Sequence, residues 1–97
     1  MTIDKDFSDG RLTLKVGGRL DTNTSPDLES ALKYDGVSEV VFDFSGLEYI
    51  SSAGLRVLLT AQKTMAAAGG KVLVTSPNDM VRGVLDMTGL SGVFEIA

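Results

Sequence analysis

Two adjacent hydroxyls, Ser51 and Ser52, stand where an apolar, strand-like run gives way to helical spacing. Upstream, Val40, Val41, Phe42 and Phe44 form a run rich in β-branched and aromatic side chains, the pattern of a buried strand over 38–44. Ser45-Gly46 is expected to break it, and Leu47, Tyr49 and Ile50 carry an apolar segment on to the serines. From Ala53 onward the period changes. Leu55, Leu58, Leu59, Gln62 and Ala66 recur on one helical face, with Arg56, Lys63 and Ala67 on the other. The first turn of a helix carries unpaired N–H groups and the positive end of the dipole, so it favours negative charge. A hydroxyl placed there could receive a phosphate, and the site would stabilise it. The same place suits a plain N-cap, the commonest use of a serine before a helix. The small residues Ala53 and Gly54 leave the backbone open to close approach.

Other chemistries are poorly served. The chain has no histidine and no cysteine, which rules out a Ser-His-Asp triad, a thiolate nucleophile, a disulfide and a histidine- or thiolate-bound metal. The glycine pairs Gly17-Gly18 and Gly69-Gly70 are not followed by Gly-Lys-Ser/Thr, so neither is a phosphate loop, and neither makes a dinucleotide fingerprint. No catalytic residue, metal or cofactor is expected. A net charge of −4 with only nine scattered Lys and Arg argues against direct contact with nucleic acid. There is no run of about 18 apolar residues that would cross a membrane, and no apolar signal region near Met1. The expected location is the cytoplasm.

The elements that must position the serines follow in chain order. The 97 residues suffice for one domain, expected to span 1–97. Residues 2–8 read as an edge strand. Asp9-Gly10 signals a hairpin turn, and Leu12, Leu14 and Val16 then alternate with Arg11, Thr13 and Lys15 until Gly17-Gly18 ends or bulges the strand. Ser25 is expected to cap a helix with Pro26 at its first position, Leu28, Ala31 and Leu32 inside and Asp35-Gly36 as its stop. The serine-led helix spans 53–68 and ends at Gly69-Gly70. Lys71–Thr75 is a strand. Ser76-Pro77 repeats the cap logic for a helix with Met80, Val81, Val84 and Leu85 inward, which Gly89 terminates before a last strand, Val93–Ile96. Alternating strands and helices predict an α/β fold with parallel strands joined by right-handed crossovers, plus an N-terminal antiparallel hairpin. Asp21, Ser51-Ser52 and Ser76-Pro77 all follow strands, so they are expected to converge on the edge where open α/β sheets bind ligands.

Three segments in this order and spacing, covering almost the whole chain, resemble the STAS domain, in particular the single-domain bacterial anti-sigma factor antagonists. They are Gly18-Arg19-Leu20-Asp21, the stretch from Asp43 through Ser52 and Gly54 to Leu55, and Ser76-Pro77 with Val81, Leu85, Gly89 and Leu90. The resemblance implies a right-handed β-α superhelix around a small mixed sheet with about three helices. It implies a function too: the unphosphorylated protein binds an anti-sigma factor that is also a serine kinase, a sigma factor is released, and phosphorylation ends the binding. In that family the modified serine lies two residues before a glycine that opens the helix. Ser52 and Gly54 match that pair, with Ala53 small between them. The residue before the phospho-serine is typically aspartate. Here it is Ser51, which offers a second hydroxyl and is the second choice of site.

Asp21 matches the family's aspartate in Gly-x-Leu-Asp. It reads either as an Asx-type turn residue or as part of the kinase-docking surface beside Ser52, with Thr22 sharing that surface. With Ser51, Ser52, Ala53, Gly54 and Arg56 these residues make up the expected partner-binding set. Arg56 points to solvent in the plainer reading and to a phosphate or partner in the other. Asp43 is expected to bond backbone groups of the Ser45-Gly46 turn, and the methionines Met65, Met80 and Met87 to fill core or rim. Family members usually continue into a C-terminal helix, whereas this sequence stops at Ala97, which leads to the expectation of a covering partner or a second copy at the C-terminal edge. The alternative function is a STAS scaffold subunit of a signalling complex or membrane transporter. An enzyme, for example a weak nucleotide hydrolase, is disfavoured by the missing phosphate loop and histidine.

Overall fold

A computed structural model describes residues 1–97. Five strands form a single mixed sheet in chain order: β1 (Thr2–Ser8), β2 (Arg11–Leu20), β3 (Glu39–Ile50), β4 (Lys71–Thr75) and β5 (Glu95–Ile96). The first two are antiparallel, and β2-β3, β3-β4 and β4-β5 are parallel. Each parallel step is bridged by a helix: α1 (Ser25–Ala31), α2 (Ser52–Ala67) and α3 (Asp79–Met87), the last followed by a 3-10 turn at Leu90–Gly92. Strand order therefore equals chain order, and the alternation of strand and helix accounts for the parallel pairing of the helix-bridged strands.

Period-two alternation puts Leu12, Leu14, Val16 and Leu20 of β2 into the core, while Arg11 and Lys15 face solvent. In the centre of the sheet β3 is buried through Val40, Val41, Phe42 and Phe44, and β4 adds Val72 and Val74. Leu28 of α1, Leu55, Val57, Leu58, Ala61 and Met65 of α2, and Val81 and Leu85 of α3 close the same cluster. The buried face of α2 is thus turned from the expected one: Gln62 is half-buried and Ala66 exposed. Met65 is core, but Met80 is 55% exposed and Met87 86% exposed, so those two fill neither core nor rim.

Ser45-Gly46 does not end β3. The strand leaves β4 at Asp43, paired with Thr75, and continues to Ile50 alongside β2 alone. Two register slips, between Lys15 and Gly17 and between Gly18 and Arg19, absorb two extra residues of β3. Gly18 takes φ +89° at the second slip, a conformation open to glycine at no steric cost. Gly17-Gly18 therefore bulges β2 without ending it. The Asp43 carboxylate accepts from the Ser45 N–H at 3.0 Å, the local turn bond its position suggested.

The caps also differ. The first helix ends at Ala31, well before Asp35-Gly36. Its N-cap is Thr24, whose side chain makes no cap bond, and Ser25 is the first helical residue, donating from Oγ to the Asp21 carbonyl at 2.6 Å. The cap of α3 is Asn78, accepting from Val81 N–H at 2.8 Å, while Ser76 lies two residues upstream at φ +55°. Pro77 keeps its fixed φ just outside the helix.

Candidate functional site

The two serines divide the work at the start of α2. Ser51 is extended, at φ −101° and ψ 175°, and is the N-cap: its Oγ accepts from Gly54 N–H at 3.5 Å, the long limit for such a bond. Its carbonyl accepts from Leu55 N–H at 3.0 Å, and its own N–H donates to Leu20 carbonyl at 2.9 Å. Ser51 is half-buried and held from three sides. Ser52, next along, is the first helical residue and is exposed, and its hydroxyl makes no hydrogen bond within the chain. No acidic residue occupies the first turn of α2, so the positive end of the helix is not neutralised by its own side chains.

Gly54 fixes where this helix begins. It is buried, and a Cβ there would meet Leu20 Cγ at 2.7 Å and Ile50 Cγ1 at 2.9 Å. The first turn of α2 thus rests directly on the last residues of β2 and β3. Glycine is needed for close approach, not for an unusual φ.

Asp21 follows β2 and is half-buried. Its Oδ1 accepts from Asn23 N–H at 3.0 Å, Thr24 N–H at 3.2 Å and Thr24 Oγ1 at 3.2 Å. Thr24 Oγ1 also donates to Arg19 carbonyl at 2.8 Å. Burial raises the carboxyl's pKa, but these donors and the Arg19 guanidinium at 3.9 Å outweigh it and hold Asp21 below the ordinary carboxylate range. The geometry is that of the Asx turn, and the bonds build the entry to α1. Thr22 is exposed beside it.

The structure brings Asp21 and Thr22 to the start of α2, because the Leu20–Ser51 bond joins the two strand ends. Thr22, Ala53 and Arg56 line one cleft of about 200 Å³ between α1 and α2, with Ser25, Pro26, Glu29, Val57 and Thr60. A larger hollow of about 330 Å³ over the glycines Gly17, Gly18 and Gly46 shares no residue with it. Ser76-Pro77 makes no hydrogen bond to the serines and lines no cleft with their surroundings; it follows β4, whose pairing with β3 ends at Asp43. Asn78 does reach β3, donating from Nδ2 to Leu47 and Glu48 carbonyls at 3.1 and 3.4 Å.

Two residues with no assigned part lie against this surface. Arg19 stacks on the Tyr49 ring, 4.2 Å from the centroid, and also approaches Asp21. The two are cross-strand neighbours only because of the second register slip, so their pairing had no signal along the chain. No group of three or more Asp or Glu gathers as a metal site.

A small-residue surface at a helix start, carrying one free hydroxyl and built on the ends of two parallel strands, can be compared with known proteins. The model of the STAS domain matches residues 2–97. The chain belongs to the STAS domain family. BtrV of Bordetella bronchiseptica, provisionally assigned as an anti-sigma factor antagonist, is 32% identical over 100 residues, covering all of this chain and 86% of that protein. The anti-sigma F factor antagonist of Paenibacillus polymyxa is 28% identical, covering 99% of this chain and 86% of its own. Among solved structures, the unphosphorylated form of the Bacillus anti-sigma factor antagonist SpoIIAA superposes with a TM-score of 0.87 at 18% identity, covering 99% of this chain and 88% of that one. At that identity the likeness speaks for the fold: this chain has the STAS sheet and helices. No helix is long and apolar enough to cross a membrane.

Proposed function

We propose that this STAS protein is an anti-sigma factor antagonist, a binding module rather than an enzyme, with residues 1–97 acting as one unit in the cytoplasm. Unphosphorylated, it binds an anti-sigma factor with serine kinase activity through Asp21, Thr22, Ser51, Ser52, Ala53, Gly54 and Arg56, and a sigma factor is released. The kinase then transfers the γ-phosphoryl group of ATP to Ser52 Oγ. The Oγ–H bond breaks as the O–P bond forms, the proton passes to the kinase, and ADP leaves. One observation carries the reading: Ser51 takes the cap, so the Ser52 hydroxyl stands free at the start of a 16-residue helix. Relatives named as antagonists support the class of partner.

A phosphate adds about −1.5 to −2 charges at neutral pH, which the start of α2 tolerates. A partner packed on Ala53 and Gly54 would have to desolvate that charge. A hundredfold loss of affinity needs only about 2.7 kcal/mol, within reach of one misplaced charge. The switch therefore acts at the interface and leaves the fold unchanged. The test is titration of wild type, Ser52→Ala, Ser52→Asp and phosphoprotein against the purified kinase, with circular dichroism as the fold control. Ser52→Ala should bind constitutively and Ser52→Asp more weakly. Equal affinity of all four forms would remove the interface switch.

A further inference from the structure

Arg56 is the positively charged side chain of this surface that has no partner. The ion pairs of the fold are Arg11–Glu39, Lys71–Glu39, Arg19–Asp21 and Arg82–Asp86, and none includes it. Glu29 lines the same cleft from α1, yet stays beyond ion-pairing distance. Arg56 is exposed, and it stands four residues after Ser52 on the same helix.

That spacing has a direct consequence. Helical side chains lean towards the N-terminus, so a long residue at i+4 lies over residue i. The order acid first, base second is the favourable one for an i, i+4 pair. Arginine presents a planar fork that meets two phosphate oxygens at once, which lysine's point charge does not. Before modification Ser52 offers Arg56 only a neutral hydroxyl.

We propose that Arg56 is a two-state side chain: it projects free from α2 while Ser52 is unmodified, and phosphorylation of Ser52 draws its guanidinium into an intrahelical pair with the phosphate. This rests on the reading of Ser52 as the phosphorylation site and extends it. Phosphorylation then changes the docking surface twice. It adds the phosphate, and it removes from the partner the one arginine that had been unengaged. The pair stays on the helix surface beside the cleft, where the other nearby charges are Glu29 of α1 and Asp21 after β2, the latter already engaged with Arg19.

The experiment installs phosphoserine at position 52 during translation, so it needs no kinase. Phosphorus NMR follows the phosphate's second ionisation in the wild-type background, in Arg56→Gln, in Arg56→Lys and in Glu29→Gln. The Arg56 Nε–H resonance is recorded with and without the phosphate. A paired guanidinium stabilises the dianion, so the titration midpoint in Arg56→Gln should lie higher than in the wild-type background by roughly 0.3 pH or more, the scale of an i, i+4 ion pair. Arg56→Lys should fall between them, Glu29→Gln should leave the gap intact, and the Nε–H resonance should move downfield on phosphorylation. Equal midpoints for arginine and glutamine overturn the proposal. So does a midpoint shift with the Nε–H resonance unmoved, which would mean a diffuse charge effect without a pair. Because the phosphate is supplied independently, failure of a kinase to label Ser52 would count against the phosphorylation reading alone.

Discussion

Gly54 sits so close to Leu20 that a single added carbon would stand 2.7 Å from Leu20 Cγ. This contact joins the start of α2 to the end of β2, the two elements that carry the candidate surface. Gly54→Ala should therefore destabilise the protein. The helix gains about 1 kcal/mol from alanine's higher propensity, but overpacking costs typically 1–3 kcal/mol, and here two neighbours are struck at once. Urea denaturation should show a net loss on the order of 1 kcal/mol, and in a Leu20→Ala background, itself costly because Leu20 is fully buried, the added cost of Gly54→Ala should shrink. A more stable Gly54→Ala would show that Leu20 and Ile50 move aside freely.

Ser51 and Ser52 should separate in a simple pair of variants. Ser51→Ala removes the N-cap of α2 and should cost about 0.5–1 kcal/mol, at the lower end of cap losses because the bond is long. Ser52→Ala, exposed and unbonded, should stay within about 0.5 kcal/mol of wild type. Phosphate incorporation by the cognate kinase, mapped by fragmentation mass spectrometry, should vanish in Ser52→Ala and persist in Ser51→Ala. Label on Ser51 alone would reverse the assignment.

Asp21 should prove structural, and more so than an exposed loop residue. Asp21→Ala should lower the melting temperature, because Asn23 and Thr24 lose the acceptor that shapes the entry to α1. Asp21→Asn, which keeps an acceptor oxygen, should recover most of the loss. A melting curve for Asp21→Ala that overlays wild type would leave docking as its only role.

Acid should destabilise the fold through Glu39 as well as Asp21. Glu39 is buried in the sheet between Arg11, 2.5 Å away, and Lys71, 3.2 Å away. The Arg11 contact is an ion pair without hydrogen-bond alignment. Burial raises its pKa, and the two cations outweigh that and lower it. A carboxyl whose folded pKa is depressed stabilises the fold above its unfolded value, near 4.3 for glutamate, and loses that contribution as pH falls through the lower folded value. Stability against urea should thus be level from neutral pH to about 5 and fall below it. Glu39→Gln should be less stable at neutral pH and show a shallower acid decline. An unchanged slope would exclude Glu39 as a source of the pH dependence.

Asn78, not Ser76, should carry the start of α3. Asn78→Ala loses the cap on Val81 and two bonds to the carbonyls of Leu47 and Glu48, for roughly 1–2 kcal/mol. Ser76→Gly should be neutral or mildly stabilising, since glycine adopts the φ of +55° without strain. Chemical denaturation of the two variants checks both, and a large loss in Ser76→Gly with none in Asn78→Ala would restore Ser76 as the cap.

The sequence by itself determined the kinds and order of the elements, and with them the family. Alternation in β2 and the apolar run of β3 are local patterns that arise from which face of a strand meets the core, so Leu12, Leu14, Val16, Val40 and Phe42 could be placed without coordinates. It also narrowed the candidate site to two serines, because histidine and cysteine are absent and Ser51-Ser52 stand where strand-like spacing gives way to helical spacing. The choice between those serines as cap and free hydroxyl was settled only in three dimensions. A cap is defined by backbone angles, and those depend on where the strand before it stops pairing. Here β3 ran past Ser45-Gly46 because β2 offered hydrogen-bond partners that no local signal reveals. The same non-local register set Arg19 on Tyr49, and tertiary contacts of Asn78 with Leu47 and Glu48 went with its taking the cap in place of Ser76. Turn-forming residues such as Ser25 and Ser76 offer several bonds of similar strength, and tertiary packing decides which of them is made.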